Sequence, residues 1–534
     1  MSVLTQHNNN QRTGVKIDEP TLTIETVRHH FHKLDEIVVD PPAEGGPNQW
    51  ASQIVAQPLF VSNVPWPDGH NRNVLIVCTM HGTVYAFDVE NNYHQLWSRW
   101  LGQPVLDLPG FDNKDIWGTT PEWGILSTPV IDQELRRIYV VMWLGENGGT
   151  YRLAKLNLTT GDILGQITIN GSQPDQHGQQ VRFNPSFQKQ RPGLLLIKPT
   201  DLPDGHQANV GPEGTIYIAF GASIEQGISY HGWVFAYDAD TLNQRAAWCA
   251  TPNGNGGGVW QAGVGLTTDD QGNIYLMTGN GDFDALRRNF GESFVKLSCN
   301  DLTVLDSFTP WNWQDLNVGD KDLGSSGPVY IPDTNFLIGA GKTGKLYSLD
   351  LRHMGGVGDI HTKTNHDVDE VQATSDPPHP VTDHDHHVHG SPVYYEPLSR
   401  LYLWGENDVL KAFTIDRTTG KFSMMPVATG PGALIAPSGM PGGMLSLSAD
   451  SNSNAIIWAL LPLQVGARDE DANKQRLVDG VLRAFDATTL EEIWNSDSFA
   501  DHLGHFAKFV PPTIANGRVY APTYDGKVVV YGLM

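Results

Sequence analysis

Histidine is the most unevenly placed of the reactive residue types in this 534-residue chain. Five of its 20 histidines fall in HPVTDHDHHVHGSP, as His379, His384, His386, His387 and His389, with Asp383 and Asp385 among them. A neutral imidazole near pH 7 ligates metals or moves protons. Strand alternation puts His387 and His389 on one side of the chain, whereas the residues before His387 read as a solvated loop. His81 and His505 join that pair as candidate metal ligands. Histidines from separate segments suit copper, iron or zinc, and mixed carboxylates and carbonyls suit calcium. Spacing alone does not choose between them.

Glu406, in WGEND, is the first candidate for a general base and Asp282 the second, because burial beside apolar walls raises a carboxyl pKa towards the working range. His389 is the matching candidate for proton transfer. Lys342 lies in GAGKTGK, which is not a phosphate loop: that pattern needs glycine where Phe336 stands, and no helix follows. Lys342 and Lys508 instead read as cations for a carboxylate or a developing oxyanion, or as partners of a neighbouring aspartate. Trp123 and Trp260 are candidate flat walls for a ring-shaped ligand, and His231 a candidate ligand contact.

These residues are separated by hundreds of positions, so a larger architecture must bring them together. One pattern recurs eight times: an apolar strand, a short Gly- or Asp-bearing turn, and an alternating strand that ends before Asp or Asn. The copies close on VYAFD (84–88), RLAKLN (152–157), WVFAYD (233–238), SFVKLS (293–298), KLYSLD (345–350), LKAFTID (410–416), LRAFD (482–486) and VVVYG (528–532). A small-residue strand precedes most copies, as in LSTPVID, SSGPVYI and GSPVYYE, and a fourth follows several, as in QLWSRW and EEIWNS. Four antiparallel strands per unit, repeated about every 60 residues, predict an all-β, eight-bladed propeller. The last unit has only three strands before Met534, so FHKLDEIVVD (31–40) is expected to complete it and close the ring. Residues 1–30 then form a polar N-terminal segment, and 31–534 a single propeller. In such a ring, the loops entering the innermost strands and the turns between second and third strands open on one face, where the candidate residues would converge around a central funnel.

With their VYAFD and LRAFD endings, the blades resemble the quinoprotein alcohol dehydrogenase-like propellers built of pyrroloquinoline-quinone repeats. TMHGTVYAFD, GILSTPVID, GAGKTGKLYSLD, VHGSPVYY and FAKFVPPTIANGRVYAPT resemble an uncharacterised bacterial branch of that superfamily. The resemblance implies the eight-bladed fold over roughly residues 45–534, and an oxidoreductase as one expected activity. The chain also departs from the family: quinoprotein alcohol dehydrogenases carry adjacent cysteines beneath the cofactor, and Cys78, Cys249 and Cys299 are far apart. That argues against dependence on pyrroloquinoline quinone. The expected function is an enzyme acting on a small organic molecule in the funnel, either a quinoprotein-like oxidoreductase or a quinone-free, metal-assisted isomerase, lyase or hydrolase. A non-catalytic ligand-binding or protein-assembly ring, with a protein partner, is the alternative.

Composition narrows the partners. With 35 Lys and Arg against 59 Asp and Glu, the formal charge is −24, which opposes binding to nucleic-acid phosphates or an anionic membrane surface. The opening MSVLTQHNNNQR has no apolar core of a signal peptide. The expected location is therefore cytoplasmic, or secreted if a leader has been removed.

Overall fold

Eight blades, each built on four antiparallel strands and three of them carrying a fifth, stand around one axis. The computed structural model describes residues 2–40, 52–106, 122–223, 229–374, 386–437, 439, 442–463 and 478–534. The innermost strands, in blade order, are Leu59–Pro65, Val130–Asp132, Leu195–Ile197, Thr267–Thr268, Val329–Tyr330, Val393–Tyr395, Met444–Asp450 and Thr513–Ala515. Each pairs with a longer second strand that is apolar and buried beyond its first residues, such as Arg137–Leu144 or Ser453–Pro462. The third strands carry the recurring motif, and the fourth is half-exposed, as the alternation predicts. Phe31–Val38 pairs antiparallel with the final strand Lys527–Leu533, completing blade 8 and closing the ring.

No blade can bury both faces of its own sheet, so the apolar residues lie between neighbours. Side chains of one blade also hydrogen-bond into the next. The second-strand tyrosines Tyr139 of blade 2 and Tyr402 of blade 6 donate to the carbonyls of Ala239 and Ala487, each at 2.8 Å. On the outer strand of blade 1, Trp97 Nε1 donates to Leu158 O of blade 2 at 3.0 Å. Trp494 of blade 7 packs on Phe31 and Tyr531 of blade 8, with centroids 4.8 and 5.4 Å apart. Among the described residues no helix is long and apolar enough to cross a membrane.

The polar N-terminal segment runs inside the ring. From Val3 to Glu19 it follows one end of the channel, bonding to the blades in order. Val3 exchanges backbone bonds with Phe60, Leu4 O accepts from Ile131 N, and Thr5 Oγ1 donates to Leu194 O. Asn10 O, Gln11 O and Thr13 O accept from the amides of Thr268, Tyr330 and Tyr394. Val15–Lys16 then pairs in parallel with the innermost strand of blade 7, and Glu19 Oε2 accepts from Gly517 N of blade 8. Gln6, His7, Arg12 and Glu19 are all buried. The segment leaves through helix Ile24–His30, capped by Thr23, and continues directly into the closing strand.

Candidate functional site

At the other end of the channel, the loop entering blade 6 and the turn between its second and third strands bring His387, His389 and Glu406 together. One nitrogen of each imidazole and one carboxylate oxygen lie within 4.8 Å of one another, and all three residues are buried. Glu406 Oε2 stands 3.3 Å from His387 Nδ1 and 3.9 Å from His389 Nε2. Glu406 Oε1 accepts from Gly439 N at 2.6 Å. Lys321 Nζ lies 3.1 Å from His387 Nε2. An ammonium can only donate, so Nε2 accepts and the proton of the neutral ring sits on Nδ1, facing Glu406.

An aromatic wall continues from this cluster. The His389 ring lies 5.8 Å from Trp260 and 5.3 Å from Phe509, and Trp260 and Phe509 are 6.1 Å apart. Lys508 Nζ sits 4.9 Å over Phe509, and Lys342 Nζ 5.9 Å over Trp260. Lys342 is held by Asp322 at 2.6 Å and Asp320 at 3.0 Å. Burial alone would lower its pKa, but these two carboxylates outweigh burial and raise it, keeping the ammonium charged. Asp322 Oδ1 also accepts from Asn280 N at 2.8 Å. Gly279 makes the approach possible, since a Cβ there would come within 2.1 Å of Asp322 Oδ1 and 3.3 Å of Trp260 Nε1.

Behind Asp322 lies Glu292, fully buried, with Oε2 accepting from Leu323 N at 2.6 Å. Burial, reinforced by the charge of Asp322, pushes its carboxyl well above the usual range. A raised carboxyl pKa means the folded state binds more protons than the unfolded state above the ordinary value of 4.5, and stability falls as pH rises from there. Glu292→Gln, which cannot ionise, should therefore melt like the parent near pH 4 and above it at pH 8. Differential scanning fluorimetry across that interval checks this; a gap that does not widen with pH would show that Glu292 ionises freely.

The structure brings together His387, His389, Glu406, Lys342, Trp260 and Lys508 from the sequence candidates, and places the others apart. His81 and His505 do not join the other two histidines as a metal set, because each is held by a carboxylate within its own part of the ring. His81 Nδ1 lies 2.9 Å from Glu122, which raises its pKa through that bond. His505 pairs with Asp525 Oδ1, again raising the imidazole pKa. His231 bonds Thr251 Oγ1 at 3.1 Å, and burial lowers its pKa. Trp123 is buried in the apolar core between blades, with Lys189 Nζ 5.6 Å from its ring. Asp282 is exposed and accepts from Asn255 N at 2.9 Å, stapling a turn. His379, Asp383, His384 and Asp385 lie outside the described residues.

Sequence reasoning passed over Asp320, Lys321, Asp322, Glu292 and Phe509. A signal existed for three of them: GDKDLGSSG enters the innermost strand of blade 5, the same kind of loop that supplies His387 and His389 in blade 6. For Glu292 and Phe509 there was none, since neither stands out by type or spacing.

No protein-family model matches the chain, and no curated protein sequence does. Solved structures do. The chain is similar to quinohemoprotein alcohol dehydrogenase from Comamonas testosteroni, at 14% identity over 99% of this chain and 80% of that one, with a TM-score of 0.56. It is similar to a europium-containing methanol dehydrogenase, at 12% identity over 100% of this chain and 98% of that one, with a TM-score of 0.61. A quinohemoprotein alcohol dehydrogenase from Pseudomonas putida HK5 gives 12% identity, 100% and 80% coverage, and a TM-score of 0.51. At such identities the likeness is one of architecture: the chain has the eight-bladed propeller fold of the quinoprotein alcohol dehydrogenases.

Proposed function

We propose that the protein is an enzyme whose funnel holds one divalent transition-metal ion on His387, His389 and Glu406 and uses it on a small, oxygen-bearing organic molecule. The observation that carries this reading is the spacing of the buried triad. Two ligand atoms each about 2.1 Å from a tetrahedral ion stand roughly 3.4 Å apart. The carboxylate oxygen of Glu406 lies 3.3 and 3.9 Å from the two imidazole nitrogens, so small side-chain adjustments would seat an ion. Two imidazoles and a carboxylate suit zinc or iron, whereas calcium takes six to eight oxygens. Three protein ligands leave a coordination position open for substrate.

The surrounding residues support chemistry on a polarised oxygen. Trp260 and Phe509 form apolar walls that exclude water, which strengthens electrostatic interactions inside. Lys342, held as a cation by Asp322 and Asp320, packs over Trp260 and fixes that wall in place. Isomerisation, elimination and hydrolysis are the reaction classes this set serves. A tricarboxylate quinone does not fit it. The three cysteines are buried and unpaired with one another, and the cation over Trp260 is already neutralised by two aspartates.

His387 adds a test of its own. An ion on Nδ1 displaces the proton there and turns Nε2 into an N–H donor, which then opposes the Lys321 ammonium. Lys321→Gln, whose carbonyl accepts, should tighten metal binding by about tenfold, the scale of an outer-shell partner. The direct experiment is chelator treatment followed by titration with Co2+ or Zn2+, read by calorimetry and by the visible absorption of cobalt. One equivalent should bind. A protein that takes up no stoichiometric ion, or takes it up unchanged after His389→Ala, would defeat the assignment.

A further inference from the structure

We propose that the end of the channel opposite this site is a peptide-binding groove, and that the chain's own residues 3–19 are its tethered ligand. The proposal is independent of the metal centre. Each innermost strand has a second strand on its outer side and an open edge towards the axis, where backbone N–H and C=O groups need partners. Eight such edges form an annulus. The segment follows them in blade order, from the Val3–Phe60 pair in blade 1 to the Val15–Lys16 pairing in blade 7, and Glu19 then reaches Gly517 N in the turn after the innermost strand of blade 8.

Two features make this a specific groove rather than a packed tail. Arg12 is fully buried, and its guanidinium donates to Leu266 O at 2.9 Å, Thr5 Oγ1 at 2.8 Å, Gln6 O at 2.6 Å and Leu194 O at 3.2 Å. Both nitrogens of buried His7 meet carbonyl oxygens, Arg12 O at 2.9 Å and Leu445 O at 3.1 Å. Thr5 Oγ1, Gln6 O and Arg12 O belong to the segment and hold its turns, while Leu266 O, Leu194 O and Leu445 O belong to the ring, so the recognised chemistry is a folded polar peptide whose arginine and histidine reach main-chain carbonyls of the ring. Tethering gives the segment a high effective concentration, so in the intact chain the groove is always filled. The link at Pro20 and Thr21 is exposed, which makes the ligand separable.

The test begins with the full chain carrying a protease recognition sequence between Pro20 and Thr21, cut after folding. The nicked protein should retain the segment through gel filtration and melt below the uncut protein. Urea below the main transition should release it. The ring should then capture a fluorescent synthetic peptide of residues 2–20 saturably, and an Arg12→Ala peptide at least about tenfold more weakly, since charged hydrogen bonds are lost. Spontaneous loss of the segment with an unchanged melt, or equal binding of the two peptides, would overturn the proposal. If the ring opens on release, hydrogen exchange on the uncut chain decides. In full-length Arg12→Ala, the amides of Thr268, Tyr330, Tyr394 and Leu447, which donate to the segment, should exchange at least about tenfold faster, while outer-strand amides do not change. Unaltered protection of those four would overturn it equally.

Discussion

Arg12→Ala is expected to destabilise the protein by about 3–5 kcal/mol, read as a fall in the urea midpoint and a drop of several degrees in melting temperature. The scale is that of leaving a buried polar network without one partner. The truncated side chain abandons Leu266 O, Leu194 O, Gln6 O and Thr5 Oγ1, all buried, and leaves a cavity between the segment and blades 3 and 4. One effect works the other way: burial lowers the Arg12 pKa to about 9, so the fold already meets a cost for holding the charge there. The lost acceptors outweigh it: Leu194 O and Thr5 Oγ1 keep each other, but Leu266 O and Gln6 O lose the donor that Arg12 supplied, at about 1–3 kcal/mol for each buried group. Arg12→Lys should recover only part of the loss, since an ammonium has three donors and lacks the planar fork that reaches four partners. Gly265 belongs to the same device, as a Cβ there would come within 2.4 Å of Arg12 Nη2. A surface-like loss below about 0.5 kcal/mol for Arg12→Ala would mean that the N-terminal segment adds little to ring stability.

Glu406→Gln is expected to lower affinity for Co2+ or Zn2+ by at least about 100-fold, exceeding the 10- to 100-fold effect of outer-shell partners because a ligand itself is altered. The amide oxygen can still accept from Gly439 N while the NH2 takes the place of the oxygen facing His387, so the change removes the charge and one ligand atom at nearly constant volume. Glu406→Ala, by contrast, leaves both donors without that acceptor and should cost an additional 1–3 kcal/mol or so of stability. His389→Ala should also abolish stoichiometric binding, while His81→Ala and His505→Ala should leave it intact, because those imidazoles are engaged with Glu122 and Asp525. Loss of the ion in the His81 or His505 variants instead would move the centre elsewhere in the ring.

The blade repeat was legible because it is local. Strand alternation, turn residues and the Asp or Asn closing each third strand lie within a few positions of one another, and chain connectivity places successive blades side by side. Even the closing strand could be read, because three strands at one end call for a fourth at the other. The loop class of each functional residue followed in the same way, which is why His387, His389, Glu406 and Lys342 were recognisable as candidates.

Only the tertiary structure decided which of them meet. The repeat gives a residue's blade and its end of the ring, but not its distance from the axis or the partner that claims it. His81 and Glu406 occupy comparable positions in the pattern, the turn between second and third strands, yet the first meets Glu122 of the next blade's entering loop and the second meets His387 of its own. The N-terminal segment shows the same limit more sharply. By composition TQHNNNQRTG is a polar stretch fit for solvent, and nothing in its spacing marks it for burial. Its place is set by the unpaired inner edges of eight blades, which exist only once the ring has closed and which polar residues satisfy better than apolar ones.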